Sequence, residues 1–332
     1  MNRMYAVLSI VFLLLISLRF ISCSGIDKSK YQQAEATHSY ENFNLDTSKI
    51  PDDKFGDAVR YGRELMLRTA YWIGPDGVNG KFLGNKMNCT NCHQDAGTKP
   101  YSFNLITTYQ NYPSYRAREG KVLSMAERVN NCIMHPHLGK PLPLDSKEMI
   151  AFLSYFKWMN DSSNIKKSTP GVKNLEIEFP TEQASSSRGE KLYQTHCRRC
   201  HGKDGEGVMQ ANNETYIYPP LWGMLAYQPG SSMHRIIKMS QWLVANMPHT
   251  LATHDKPVLS SKEAFDLAAF INDDEIHDRP PVKEFQYPNF EEKAIDYDRG
   301  PFNDTFSDVQ HKYGPYQPII DYLKSKGVKP TY

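Results

Sequence analysis

Two pentapeptides set the chemistry available to this chain: Cys89-Thr-Asn-Cys92-His93 and Cys197-Arg-Arg-Cys200-His201. In such a unit the two thiols add to the vinyl groups of a porphyrin, and the histidine that follows is held under the ring as an iron ligand. A zinc site or a redox disulfide also uses Cys-x-x-Cys, but neither needs a histidine directly after both pairs. The pattern therefore predicts two covalently bound haem c groups, attached through Cys89, Cys92, Cys197 and Cys200 and ligated by His93 and His201. Of the six cysteines, Cys23 and Cys132 are left over.

The elements around the two motifs repeat. Residues 55–72 carry Val59, Leu65, Met66 and Thr69 at roughly helical spacing ahead of the first motif. A shorter helix, opened by a Ser187 to Glu190 capping box, is expected ahead of the second. Downstream, Leu144-Asp-Ser-Lys-Glu148 and Leu259-Ser-Ser-Lys-Glu263 each read as a capping box leading into an apolar-periodic helix, 115 residues apart. Each repeat runs helix, haem motif, long loop, distal residue, closing helix, the order of a small class I cytochrome c domain. The expected fold is mainly α: two fused class I cytochrome c domains, 55–160 and 187–274. A polar linker joins them at 161–186, an N-terminal arm covers 23–54, and a long, mostly irregular tail, 275–332, is expected to wrap over both.

Export comes from the first 22 residues. Arg3 precedes an apolar run, Tyr5 to Leu18, that ends at Ile21-Ser22-Cys23, which reads as a lipoprotein-type signal peptide with Cys23 as the lipidated first mature residue. A periplasmic, membrane-anchored protein follows as the expectation. Without Arg3 and Arg19 the 39 basic groups become 37 and balance 37 acidic ones, so no global charge bias favours nucleic acid.

Iron needs a second axial ligand from far downstream. Met247, followed by Pro248, is the choice for the second haem, with Met239 as its competitor; a Met/His pair raises the reduction potential. Carried back by 115 residues, Met247 falls on Cys132 and Asn246 on Asn131. Cys132 is thus expected as the sixth ligand of the first haem, where a thiolate lowers the potential. His135 and His137 sit just beyond and are the alternative ligands; they are expected as pocket residues or spectators. A Ser124 to Glu127 capping box should open the helix carrying Cys132, placing Arg128 one turn before it on the same face. A neighbouring guanidinium lowers a thiol pKa and can hold an anion beside the sulfur. Arg116, Arg118 and Lys140 are further cations nearby in sequence.

At these residues the chain resembles the dihaem thiosulfate dehydrogenases, some of which also act as tetrathionate reductases. The resemblance runs from about residue 61 to 280. It rests on Tyr61-Gly-Arg63, the first haem motif with Asp95-Ala-Gly-Thr98, Tyr115-Arg-Ala-Arg118, Arg128-Val-Asn-x-Cys132, Gly139-Lys-Pro-Leu-Pro143, Pro219-Pro-Leu-Trp-Gly223 and Asn246-Met-Pro248. It implies a His/Cys-ligated active-site haem and a His/Met electron-exit haem, with Cys132 as the catalytic ligand and Arg118 and Arg128 binding the anionic substrate. Two positions depart from the family pattern. Pro136 stands where an active-site serine is expected, and Asn246 stands where some members carry a lysine.

The expected reaction joins two thiosulfates into tetrathionate, or runs in reverse, with electrons passing from haem 1 to haem 2 and on to a small soluble cytochrome or similar carrier. The alternative is a membrane-tethered dihaem shuttle without substrate chemistry. A thiolate ligand flanked by arginine argues against the shuttle, which gains little from a low-potential, anion-facing haem. A peroxidase would need an open iron position, which six-coordination of both haems disfavours.

Overall fold

The computed structural model describes residues 43, 45–282 and 286–332. The expected signal segment, Cys23 and the arm up to residue 42 lie outside the described residues.

The first domain opens with α1 (Lys54–Leu67), whose N-terminus is capped by Asp53 accepting from the Gly56 amide. The single helix expected over 55–72 is broken at Arg68, and α2 (Thr69–Ile73) follows. The break serves the haem motif. Thr69 Oγ1 bonds the Leu65 carbonyl at 2.7 Å and accepts from Cys89 N at 2.9 Å, and Ala70 N donates to Asn88 Oδ1 at 3.0 Å. A short hairpin, β1 (Ser114–Arg116) and β2 (Lys121–Leu123), leads into α3 (Met125–Met134), which carries Cys132 and starts on the expected Ser124 to Glu127 box. The domain closes with α4 (Lys147–Ser162).

The second domain comprises α5 (Ser186–His196), a small hairpin of β3 (Val208–Met209) and β4 (Tyr216–Tyr218), α6 (Ile236–Asn246) and α7 (Ser261–Ile271). Two cap expectations need correction. The α5 cap is Ser185, not Ser187, because Ser185 is pinned by its own amide to Asp266 and its hydroxyl accepts from Arg188 N. Ser146 caps α4 through Met149 N, and Glu148 accepts a hydrogen bond from the Tyr61 hydroxyl at 2.9 Å instead of closing a box. The Ser260 to Glu263 box on α7 forms as expected.

The repeat is visible in packing. A Cβ on Gly62 of α1 would sit 2.0 Å from the Ala151 carbonyl and 2.7 Å from the Tyr155 Cβ of α4. A Cβ on Gly189 of α5 would meet the Asp266 carbonyl at 2.0 Å and the Phe270 Cβ of α7 at 2.7 Å. Ala151 and Asp266, like Tyr155 and Phe270, are 115 residues apart, the register of the sequence repeat. In both domains only glycine lets the helix before the haem motif approach the closing helix this closely. Each pair carries its own core, the first around Val59, Ile133, Phe152 and Met159, the second around Tyr193, Ile237, Leu243 and Phe265.

The linker and the tail are more structured than expected. Leu175, Ile177 and Phe179 of the linker pack on the second core, and Asn174 Nδ2 donates to Gln241 Oε1. The tail forms α8 (Asp308–Tyr313) and α9 (Gln317–Ser325), the latter admitting Pro318 in its first turn, where a missing amide costs nothing. Ile295, Tyr316, Ile319 and Ile320 belong to the second core. Asp296, fully buried, pairs with the Arg235 guanidinium and accepts from Ile237 N at 3.1 Å, capping the start of α6. Asp296→Ala leaves that arginine charge buried without its partner. The expected loss is about 3–5 kcal/mol, read as a lower denaturation midpoint of the holoprotein.

Candidate active site

The two haem motifs are prepared for metal in the same way. His93 Nδ1 lies 2.6 Å from the Phe103 carbonyl, and His201 Nδ1 lies 2.8 Å from the Pro219 carbonyl. A carbonyl only accepts, so each Nδ1 carries the ring proton and each Nε2 presents its lone pair to iron. Cys89 and Cys92 sit half-buried beside His93, as Cys200 does beside His201, with Cys197 buried. His137 Nε2 lies 3.9 Å from Cys89 Sγ, and its Nδ1 is buried with no partner among the described residues, an orphaned polar atom where a porphyrin edge would attach. Burial pulls the His137 pKa down to about 4, so the ring stays neutral. Both donor sets fit haem c.

Cys132 faces the first motif from α3. Its thiol is in hydrogen-bonding contact with the His93 ring, which brings a soft sulfur and an imidazole together where both could hold a haem iron. Burial acts to raise the Cys132 pKa, but Arg128, His93 and Arg118 outweigh it and bring it down to about 7. Arg128 responds in kind: the Cys132 charge, against the effect of burial, raises its own pKa, with Tyr112 as a hydrogen-bond partner. The capping box at Ser124 fixes the turn that stacks Arg128 over Cys132.

Arg118 is the third member. It follows β1, and its guanidinium reaches into the second domain, Nη1 to the Gly230 carbonyl at 3.1 Å and Nη2 to Ser232 Oγ at 3.0 Å. Neither partner is charged, and burial pushes the Arg118 pKa down. Arg116 and Lys140 are exposed, and the groups acting on Cys132 are Arg128 and Arg118, not these two. His135 is held at both ring nitrogens, Nδ1 at the Asn131 carbonyl (2.8 Å) and Nε2 at Gln286 (3.1 Å). Pro136 takes a bond from Asn85 Nδ2 on its carbonyl at 2.9 Å. A cavity of about 120 Å³ opens between Met134, His135, Gln228 and Pro281. Gln228 donates to the Met134 carbonyl at 3.1 Å, and its Oε1 is buried with no partner among the described residues.

Met247 ends α6 and packs half-buried on the second core. Two residues on, His249 is close enough for its charge to oppose that of His201, which places this turn at the second motif. Met239, the competitor, is buried with its sulfur accepting from Asn272 Nδ2 at 3.3 Å. The two sites are joined by α6: Trp242 Nε1 donates to the Cys92 carbonyl at 3.1 Å and Asn246 Nδ2 to the Tyr101 carbonyl at 3.1 Å.

Sequence patterns missed the tail. Gln286 bonds His135, Tyr287 N donates to the Arg118 carbonyl at 2.7 Å, and the Tyr297 hydroxyl holds Gln286 Oε1 at 3.0 Å. These residues lie outside both repeats, so no internal alignment could find them.

A cytochrome c family profile matches residues 186–274, and a profile described as SoxA/TsdA, cytochrome c domain, matches residues 78–164. Among characterised relatives, the thiosulfate dehydrogenase of Thiomonas intermedia (strain K12) is 34% identical over 225 residues, 68% of each chain. That of Stutzerimonas stutzeri (strain A1501) is 31% identical over 280 residues, 84% of this chain and 83% of its own. Among solved structures, the as-isolated thiosulfate dehydrogenase (TsdBA) from Marichromatium purpuratum superposes with a TM-score of 0.63 at 28% identity. It covers 78% of this chain, which in turn spans 52% of that longer one.

Proposed function

Because the chain belongs to the thiosulfate dehydrogenase family, an oxidoreductase family with a covalent haem c in each of its two cytochrome c domains, we propose that it joins two thiosulfate ions into tetrathionate at Cys132. One observation carries this reading: an unpaired, buried-side thiol opposite His93 has two arginines close enough to lower its pKa.

In the forward direction the Cys132 thiolate bonds the outer sulfur of one thiosulfate, giving a Cys–S–S–SO3 adduct and releasing two electrons. The outer sulfur of a second thiosulfate then attacks the sulfane sulfur of that adduct; the new S–S bond makes tetrathionate, and the Cys132 thiolate leaves. The bound haems supply the place for both electrons. Arg128 orients the first dianion at the thiolate, and Arg118, held by Gly230 and Ser232, offsets the repulsion between the two dianions. Read backwards, the same steps reduce tetrathionate. Export, attachment through a lipidated Cys23, and delivery of electrons to a small soluble cytochrome or similar carrier belong to the same proposal. They are supported by the residues around the signal segment and by the second haem domain.

The test is thiosulfate-dependent reduction of ferricyanide by the purified holoprotein, with tetrathionate as the product in a ratio of one per two ferricyanide. Absence of turnover with thiosulfate, and of thiosulfate formation from tetrathionate with a reduced dye, would reject the proposal.

A further inference from the structure

Two dianions must sit together, yet the residues so far assigned to them come from the first domain alone. The second domain offers one more cation. Lys238 is the only charged residue in α6, whose other residues are apolar or neutral: Ile236-Ile-Lys-Met-Ser-Gln-Trp-Leu-Val-Ala-Asn246. It shares a face of that helix with Arg235, three residues before it, and Trp242, four residues after it. That face is turned to the first domain, because Trp242 bonds the Cys92 carbonyl and Asn246 the Tyr101 carbonyl.

Charge is unbalanced at this place. Arg118 and Arg235 are both close enough to act on Lys238, and Arg128 and Arg235 act on Arg118. Among the described residues Asp296 is the one anion that acts on Lys238, but it is committed to Arg235, and Arg118 is held by a carbonyl and a hydroxyl. Lys238 is half-buried and makes no hydrogen bond or ion pair among the described residues. A desolvated ammonium beside two guanidiniums is unfavourable without an anion. Its pKa reflects this, brought down to about 8 by burial and then by Arg235.

The geometry points to Lys238 and Arg118 as a second anion subsite, formed across the domain boundary, that holds the dianion joining the one bound at Cys132. This rests on the reaction proposed above. The subsite takes a tetrahedral oxyanion with a sulfonate face: the second thiosulfate in the forward direction, or the far sulfonate of tetrathionate in reverse. Lys238 supplies up to three donors and a compact positive charge where the bidentate fork of Arg118 is already partly spent on Gly230 and Ser232. The active site then requires both domains, and Trp242 on the same helix face fixes their relation.

The test uses the full holoprotein as Lys238→Gln and Lys238→Arg. For Lys238→Gln, KM for thiosulfate should rise about tenfold or more while kcat stays within about threefold. Lys238→Arg should recover most of the loss. The visible spectra of both haems should be unchanged, which a merely structural lysine that misplaced α6 would not allow. Calorimetric titration with sulfate, an inert dianion, should show the same weakening in Lys238→Gln. If the wild-type protein turns over thiosulfate and Lys238→Gln has the same KM and sulfate affinity, the subsite is wrong. If the wild type does not turn over thiosulfate but Lys238→Gln still loses sulfate affinity, the subsite stands and the proposed reaction fails.

Discussion

Cys132→Ala should abolish thiosulfate-driven ferricyanide reduction, with kcat falling at least about 1000-fold. The size follows from what the side chain does twice over in the proposed reaction, where its thiolate forms the bond to the first thiosulfate and is the leaving group for the second. No neighbour can take over. His135 has both ring nitrogens engaged, and His137 Nε2 lies at the Cys89 sulfur. Chemical reduction should still convert both haems from the ferric to the ferrous spectrum, because all four attachment cysteines and both proximal histidines remain. Reduction of the haems by thiosulfate should not occur. Cys132→Ala retaining a tenth of wild-type turnover would remove the sulfur from the mechanism.

Arg128→Gln should lower kcat/KM for thiosulfate by about 100–1000-fold, the cost of losing one pre-set electrostatic donor at a reacting anion. Arg128 is placed by the Ser124 to Glu127 box, touches Tyr112, and contributes the largest lowering influence on the Cys132 thiol. In the proposed reaction its loss therefore removes both a contact to the substrate and the stabilisation of the thiolate that attacks it. Arg128→Lys should fall between, since an ammonium keeps the charge but loses the planar fork. Steady-state rates over a wide thiosulfate range check this; equal losses in Lys and Gln variants would show that charge is irrelevant and geometry alone matters.

Much of the site was legible because haem chemistry is written locally. A Cys-x-x-Cys-His unit needs five consecutive residues, and the capping box that stacks Arg128 over Cys132 spans four. The 115-residue register also survived into three dimensions, where Gly62 and Gly189 meet equivalent positions of the closing helices. Caps were less legible. Ser185 and Ser187 are equally good caps by residue type, and only the long-range bond from Ser185 N to Asp266 selects the first. The break at Arg68 was hidden for the same reason, since it is Cys89 N, twenty residues away, that recruits Thr69. The tail was least legible. Its prolines and charges read as irregular chain, yet Tyr316 and Ile319 complete the second core, and Gln286 and Tyr287 close around His135 and Arg118. Those contacts depend on where a segment outside both repeats comes to rest, which no periodicity encodes. Lys238 did leave a trace, a lone charge in an apolar helix, but its meaning required knowing which face meets the first domain.

Low-temperature EPR of the oxidised holoprotein, compared with Cys132→Ala, tests Cys132 as an iron ligand. A low-spin His/thiolate signal is expected in the wild type and is lost in the variant, while the signal from the second-domain haem persists. The same spectrum from both proteins would contradict it, because Cys132 would then not face the iron at all.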